Sequence, residues 1–184
     1  MHLSEAFKLL KNKKLNCLEG LSTKEFKDLR RRVISMVLAT DVAYHSKLIQ
    51  KVNTYGEDFT LENWIEENEG AEVFNIQQDH MDLILHAADV QHPSKTFELS
   101  KRWTELLFKE FHNQGDIEKK LGLEVSELCD RKISIFSSSI EFINNIVFPC
   151  FELVVRLLPK AKHYLDMIEN TKDEWEKLNA DENA

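Results

Sequence analysis

Glycine and proline are scarce, with five Gly and three Pro in 184 residues, too few to punctuate the many turns of a β-rich fold. Cysteine is scarce as well. Cys17, Cys129 and Cys150 are odd in number and form no CxxC pair, so they read as reduced intracellular thiols rather than a disulfide framework. Basic charge is in deficit: 24 Lys and Arg stand against 32 Asp and Glu, a net charge of -8. That balance argues against a general nucleic-acid binder, which would show a basic face. It leaves room for an anionic small molecule, because a bound metal inverts the local field. No apolar run is long enough to span a bilayer, and the start lacks a signal peptide. A cytosolic protein, or one attached to a cytosolic assembly, is expected.

What is present is helical periodicity. With 42% hydrophobic and 30% charged residues, the chain has the balance of one ordinary globular domain with a real core. Leu3, Phe7 and Leu10 predict a short amphipathic helix over 3–12. Ser22-Thr23-Lys24-Glu25 is a capping box, with Leu21 and Phe26 as its hydrophobic staple. It opens a long helix predicted to run to about Val52. Residues 53–72 read as a polar, acidic loop around Gly56, with one turn near Trp64. A helix from Val73 carries Phe74, Ile76, Met81, Ile84 and Leu85. After Pro93 the next helix carries Phe97, Trp103, Leu106, Leu107 and Phe111, and a shorter one from Gly115 ends at Gly122, a well-placed terminal cap. Ile133 to Pro149 predicts another helix, and two more follow through Phe151 to Leu158 and Tyr164 to Leu178. No stretch alternates with period two for long enough to be a strand. The fold class is all-α, a multi-helix bundle in a single domain over 1–184.

One stretch stands apart: Leu83-Ile84-Leu85-His86-Ala87-Ala88-Asp89-Val90-Gln91-His92-Pro93. Residues three apart share a helix face, so the His86 imidazole and the Asp89 carboxylate emerge together at the end of an apolar run. A buried carboxylate needs a partner, hydrogen bonds or a metal. Taken alone this HxxD is a weak motif, and a helix-terminal Asp89 held by a neighbouring Arg or a backbone amide is the favoured reading.

A set of short motifs in order changes the reading. They are Leu38-Ala39-Thr40-Asp41, His86-Ala87-Ala88-Asp89, Trp103-Thr104, Glu110-Phe111, Gln114-Gly115-Asp116, Leu121-Gly122-Leu123, Cys129-Asp130-Arg131 and Phe142 to Pro149. Together they resemble the class I 3',5'-cyclic nucleotide phosphodiesterase catalytic domain, in its C-terminal portion. His92-Pro93 after the Asp is most similar to the calmodulin-dependent class. The resemblance implies a metal-dependent hydrolysis of a cyclic phosphodiester, with divalent metals (Zn or Mg) clamping the attacking and leaving oxygens. On it, Asp89 is a metal ligand, with Thr40, Asp41 and His86 supporting the ligands from behind. For Asp41 a structural salt bridge is an equal alternative. His92, Thr104, Leu107, Ser139 and Phe142 match the nucleotide pocket, although a Phe at the spacing of Phe142 is core by default. Trp103 reads as core rather than ligand contact, and Ser100 and Gln91 as solvent-facing.

The departures from the family pattern carry as much information. The family's other metal ligands, two His and one Asp, and its general-acid His belong to motifs that precede this stretch. One Asp does not hold a binuclear site. The glutamine that reads the purine falls on Ser139, which cannot reproduce a bidentate amide. Glu141 stands where the family usually has Gly, adding bulk and negative charge. Three readings follow: a truncated, catalytically inactive relative acting as a binding or scaffold module, a fragment of an active enzyme, or a plain helical interaction domain. Cyclic nucleotide is the implied ligand. A protein partner or a second copy is expected over the apolar faces of 3–12 and 26–52, with Phe74, Ile84 and Leu85.

Overall fold

The structure, a computed structural model, describes residues 1–56 and 70–182. Its regular elements are helical, as predicted, and no strand occurs among the described residues. In chain order they are α1 (His2–Leu9), α2 (Thr23–Ala39), α3 (His45–Asn53), α4 (Ala71–Asp89), α5 (Phe97–Lys120), α6 (Ile135–Phe142), α7 (Phe148–Leu157) and α8 (His163–Glu182). Short 3-10 turns interleave at Val42–Tyr44, His92–Ser94, Glu127–Cys129 and Pro159–Ala161. Much of the acidic loop predicted over 53–72, including Trp64, lies outside the described residues. No described helix is long and apolar enough to cross a membrane. The chain forms two compact units, Met1–His86 and Ala87–Ala184.

In the first unit the capping box is formed as the sequence predicts. The Glu25 amide donates to Ser22 Oγ at 3.3 Å, and Glu25 Oε2 accepts from the Ser22 amide at 2.8 Å. The single long helix predicted to Val52 does not form. It breaks after Ala39, and Asp41 takes an extended conformation with φ -67 and ψ 119, its carboxylate accepting the Ala43 amide at 3.0 Å. A side chain that offers the backbone this local bond competes with helix continuation. The turn re-aims α3, which buries His45, Leu48 and Val52. From α4 come Ile76 and Leu83, and the Arg32 guanidinium lies 3.8 Å over the Phe74 ring.

The second unit is built around Trp175 of α8, which is 1% exposed. Phe97 meets it edge-on at 5.1 Å, and Phe136 lies 5.9 Å away. Ile143, Val147, Cys150, Phe151, Leu153 and Val154 complete this core. The sequence predicts a helix ending at Pro149, yet the chain turns helically straight through it. Residues Ile143–Val147 widen into a π turn, and the Phe148 amide donates to the Ile143 carbonyl five residues back. Proline cannot donate to the carbonyl four residues before it. The wider turn changes the register where that bond is lost, so α7 follows without a stop.

A new helix is also predicted to start at Gly115, but α5 runs unbroken to Lys120. Gly115 is required for another reason: a Cβ there would sit 2.2 Å from the Cys129 carbonyl oxygen. The predicted terminal cap at Gly122 is present. Gly122 has φ +70, its amide donates to the Lys119 carbonyl at 3.2 Å, and the Leu123 amide donates to the Glu118 carbonyl at 3.0 Å. These two bonds are the Schellman pattern that closes a helix.

Gly115→Ala offers a test of the close approach. Alanine improves helix propensity by about 1 kcal/mol, but the clash with backbone is expected to outweigh that gain and give a net loss of at least roughly 2 kcal/mol. Urea denaturation of the two proteins measures it. An unchanged or higher midpoint would show that the contact is not tight.

Candidate functional site

The centre of the first unit is polar. On α4, Gln78, Asp79, His80, Asp82 and His86 are all buried, and such groups must find hydrogen bonds there. Lys51 of α3 donates to Asp79 at 2.6 Å, and the Tyr55 hydroxyl donates to its other oxygen. Burial, followed by that bond, holds the Tyr55 phenol well above its ordinary range. Ser35 Oγ donates to Asp82 at 2.8 Å and Gln78 Nε2 at 2.6 Å. Burial raises the Asp82 carboxyl above its usual range, and these two donors pull it partly back. Asp79 and Asp82 line a cavity of about 300 Å³ with Ser35, Leu38, Tyr44 and Leu48.

His86, one of the sequence-predicted site residues, is fully buried and pairs with His45. His45 Nδ1 and His86 Nε2 are 3.0 Å apart, with ring centroids at 5.2 Å. One of those nitrogens donates and the other accepts, so a single proton occupies the contact. Thr40 and Asp41 serve locally in this unit. Thr40 Oγ1 donates to the Val37 carbonyl at 2.9 Å at the end of α2, and Asp41 caps the turn that follows. Asp89 is the last residue of α4 and is exposed.

In the second unit the structure brings His92 and Phe142 together. Their rings stack at 5.6 Å and 5°, and burial lowers His92 from its ordinary 6.5 to about 4. His92 Nδ1 lies 3.4 Å from Ser100 Oγ. One turn along α5, Thr104 is buried, while Leu107 is partly exposed. Ser139 is buried on α6, and its hydroxyl donates to the Ile135 carbonyl at 2.7 Å. Glu141 is exposed.

Two expectations fail on α5. Ser100, read as solvent-facing, is 0% exposed, and Trp103, read as core, is 57% exposed. The helix packs through Ser100, Thr104, Phe108 and Gly115, a stripe of mostly small or polar residues at helical spacing. Hydrophobicity alone points to the wrong face, whereas the regular spacing of small residues marks the right one. Gln91, also read as solvent-facing, is half-buried. Sequence reasoning missed His45, whose partner is 41 residues away. It also missed Lys51 and Asp79.

The metal expected from the resemblance lacks a ligand set here. Among the described residues no three His, Cys, Asp or Glu side chains converge to hold an ion, and Asp89 stands exposed at a helix end. A catalytic metal commonly keeps three protein ligands. The described residues do not by themselves fit such a centre.

Comparison with known proteins gives a consistent set of similarities. A family model described as 3'5'-cyclic nucleotide phosphodiesterase matches residues 1–168. The probable 3',5'-cyclic phosphodiesterase pde-1 of Caenorhabditis elegans is 38% identical over 162 residues, 85% of this chain and 22% of that protein. The probable 3',5'-cyclic-AMP phosphodiesterase pde-4 of the same organism is 36% identical over 178 residues, 95% of this chain and 26% of that protein. Among solved structures, the phosphodiesterase domain of the RhoPDE fusion protein from the choanoflagellate Salpingoeca rosetta superposes with a TM-score of 0.85 at 31% identity. It covers 99% of this chain and 56% of that one. The chain thus spans about a quarter of the length of these two curated relatives.

The burial of His92 has a consequence for pH. Its folded-state pKa lies below the ordinary value, so the unfolded chain binds a proton that the folded chain refuses. Stability from this residue is complete above about pH 6.5 and is lost as pH falls toward about 4. At pH 5 the loss is on the order of 2 kcal/mol. Urea midpoints at pH 7.5 and 5, compared with those of His92→Phe, which keeps a ring against Phe142, are expected to show the wild type losing more stability. Parallel losses would contradict it.

Proposed function

This chain belongs to the 3'5'-cyclic nucleotide phosphodiesterase family, and on that premise we propose that it acts in cyclic nucleotide signalling as a non-catalytic binding or scaffold module. The observation that supports this reading is Ser139. At the position of the purine-reading glutamine, the chain carries a hydroxyl that donates to its own helix at the Ile135 carbonyl. A side chain already donating there does not offer a nucleobase the paired donor and acceptor of an amide. Glu141 beside it adds negative charge near an anionic ligand. The stacked His92–Phe142 pair, with Thr104 and Leu107 on α5, remains as the surface for the ring of a cyclic nucleotide.

In this reading Asp89 is a retained metal-ligand position without its companions. Thr40, Asp41 and His86 then serve the helical framework. By resemblance the general acid and the remaining ligands come from other motifs, so on this reading the described residues alone supply neither nucleophile generation nor leaving-group protonation. A second reading, a piece of an active phosphodiesterase completed by other sequence, draws support from the short span of 22% and 26% of the curated relatives. In either case the proposal places a protein partner or a second copy against the first unit. Leu38, Val42 and Ile84 of the first unit are exposed apolar side chains that such a contact would cover.

Two experiments test the proposal. Purified chain, assayed with cyclic AMP and cyclic GMP in added Mg, Mn or Zn, is expected to show no hydrolysis above blank. Metal-dependent turnover that disappears in Asp89→Ala would overturn the non-catalytic reading. Light scattering with an apolar dye is expected to show either self-association or an accessible apolar patch. A compact monomer that binds no dye would remove the motive for a partner.

A further inference from the structure

We propose that α1 and the turn after it, Lys11 to Leu18, form a docking surface for an anionic phospholipid membrane. The proposal goes beyond the partner reading, which concerns Leu38, Val42 and Ile84, and does not depend on it. Leu38 stands near the far end of α2, about 18 Å along the helix from Phe26, which faces α1.

The first observation is an apolar surface left open. Neither α1 nor α2 buries a single residue, although both sequences are amphipathic. Between them lies a groove of about 600 Å³ with Leu3, Phe7, Leu10, Phe26 and Ile34 as its apolar floor, each of them only half-buried. Leu9 and Leu15 stand outside that groove and are 58% and 54% exposed. A peptide seated in the groove would leave both leucines in water, whereas an extended apolar phase accepts them. Amphipathic segments settle on a bilayer in this way, with apolar side chains roughly 5–10 Å into the headgroup boundary.

The second observation is charge. Residues 8–32 hold nine Lys and Arg against three Asp and Glu, in a chain of net charge -8. Lys8, Lys11, Lys13 and Lys14 are all exposed. Lys8 pairs with Glu5 at 2.7 Å, which leaves Lys11, Lys13 and Lys14 for an anionic partner. At the groove edge the Arg30 guanidinium lies 5.2 Å over the Phe7 ring, and no carboxylate lines the groove among the described residues. A cluster of Lys and Arg on an amphipathic segment is the pattern that attracts anionic headgroups. The net charge of the chain opposes that approach, but salt screens it beyond about 8–10 Å, so the local excess decides. The turn is also ordered in advance. Asn12 Oδ1 accepts the Lys14 amide and Asn16 Oδ1 the Leu18 amide, each at 3.0 Å, and the Leu15 amide donates to the Asn12 carbonyl at 2.9 Å. Lys13, Lys14 and Leu15 are thereby held together, and little ordering is left to be done on contact.

The test is co-sedimentation of the full chain with vesicles of phosphatidylcholine alone and of equimolar phosphatidylserine and phosphatidylcholine. Saturable binding to the anionic vesicles, at least about tenfold tighter than to phosphatidylcholine and weakened by salt, is expected. Lys13→Gln combined with Lys14→Gln is expected to weaken it at least about tenfold, while Lys13→Arg combined with Lys14→Arg, which keeps the charge, retains it. Leu15→Ser is expected to weaken binding at every salt concentration, because it removes apolar contact rather than charge. Soluble polyglutamate forms a separate arm that reports an acidic polypeptide as the partner instead. Failure to bind the anionic vesicles, with or without capture of polyglutamate, would overturn the proposal. So would equal binding to both kinds of vesicle, or binding unchanged when Lys13 and Lys14 are neutralised.

Discussion

The first unit depends on one constraint: α4 buries five polar side chains, which find their partners on α2, on α3 and the turn after it, or within α4. Asp79 takes Lys51 and the Tyr55 hydroxyl, Asp82 takes Ser35 and Gln78, and His86 takes His45. His80 donates from Nδ1 to the Ile76 carbonyl at 2.7 Å within its own helix. Leaving any of these groups unmet would cost about 1–3 kcal/mol, more for a charge. Apolar helices can slide or rotate at modest cost, but helices joined by these bonds cannot. The break at Thr40-Asp41 follows from the same demand. Without a change of direction after Ala39, α3 could not bring His45 and Lys51 to α4.

The second unit solves a different problem with different means. Its core is apolar around Trp175 and Ile168, and its irregularities lie where backbone must pass close to backbone. Gly115 lets the Glu127–Cys129 turn approach α5, and the π turn carries the chain through Pro149. That turn directly follows Phe142, the residue stacked on His92. Local departures from α geometry often accompany functional surfaces. Here the departure fixes the path of the chain immediately after the candidate ring-stacking surface. On the proposed reading this is where the nucleobase surface would lie, with the base-reading position altered to Ser139.

Features written in adjacent residues were legible in the sequence. The Ser22 and Glu25 box, the Gly122 cap and the helical character of the whole chain each rest on spacings of a few residues. The order of the short motifs made the family legible too. What escaped depended on partners distant in sequence or on small side chains. His45 and His86 are 41 residues apart, and Lys51 and Asp79 are 28 apart, so no local pattern joins them. The face of α5 was misread because Trp103 and Leu106 outweigh Ser100 and Thr104 in hydropathy. Close packing selected the small residues instead, and Ser100 was needed beside His92. For the candidate site, Phe142 and His92 came together as neighbours, whereas Ser139 turned its hydroxyl back on its own helix.

On the proposed reading the family framework persists here without a self-sufficient metal centre, and Asp89 is the position at which a retained centre would show. Isothermal titration of the purified chain with Zn and with Mg, alongside Asp89→Ala, tests it most directly. No tight stoichiometric binding and indistinguishable isotherms for the two proteins are expected. Tight binding of one or two ions per chain, lost in Asp89→Ala, would contradict it.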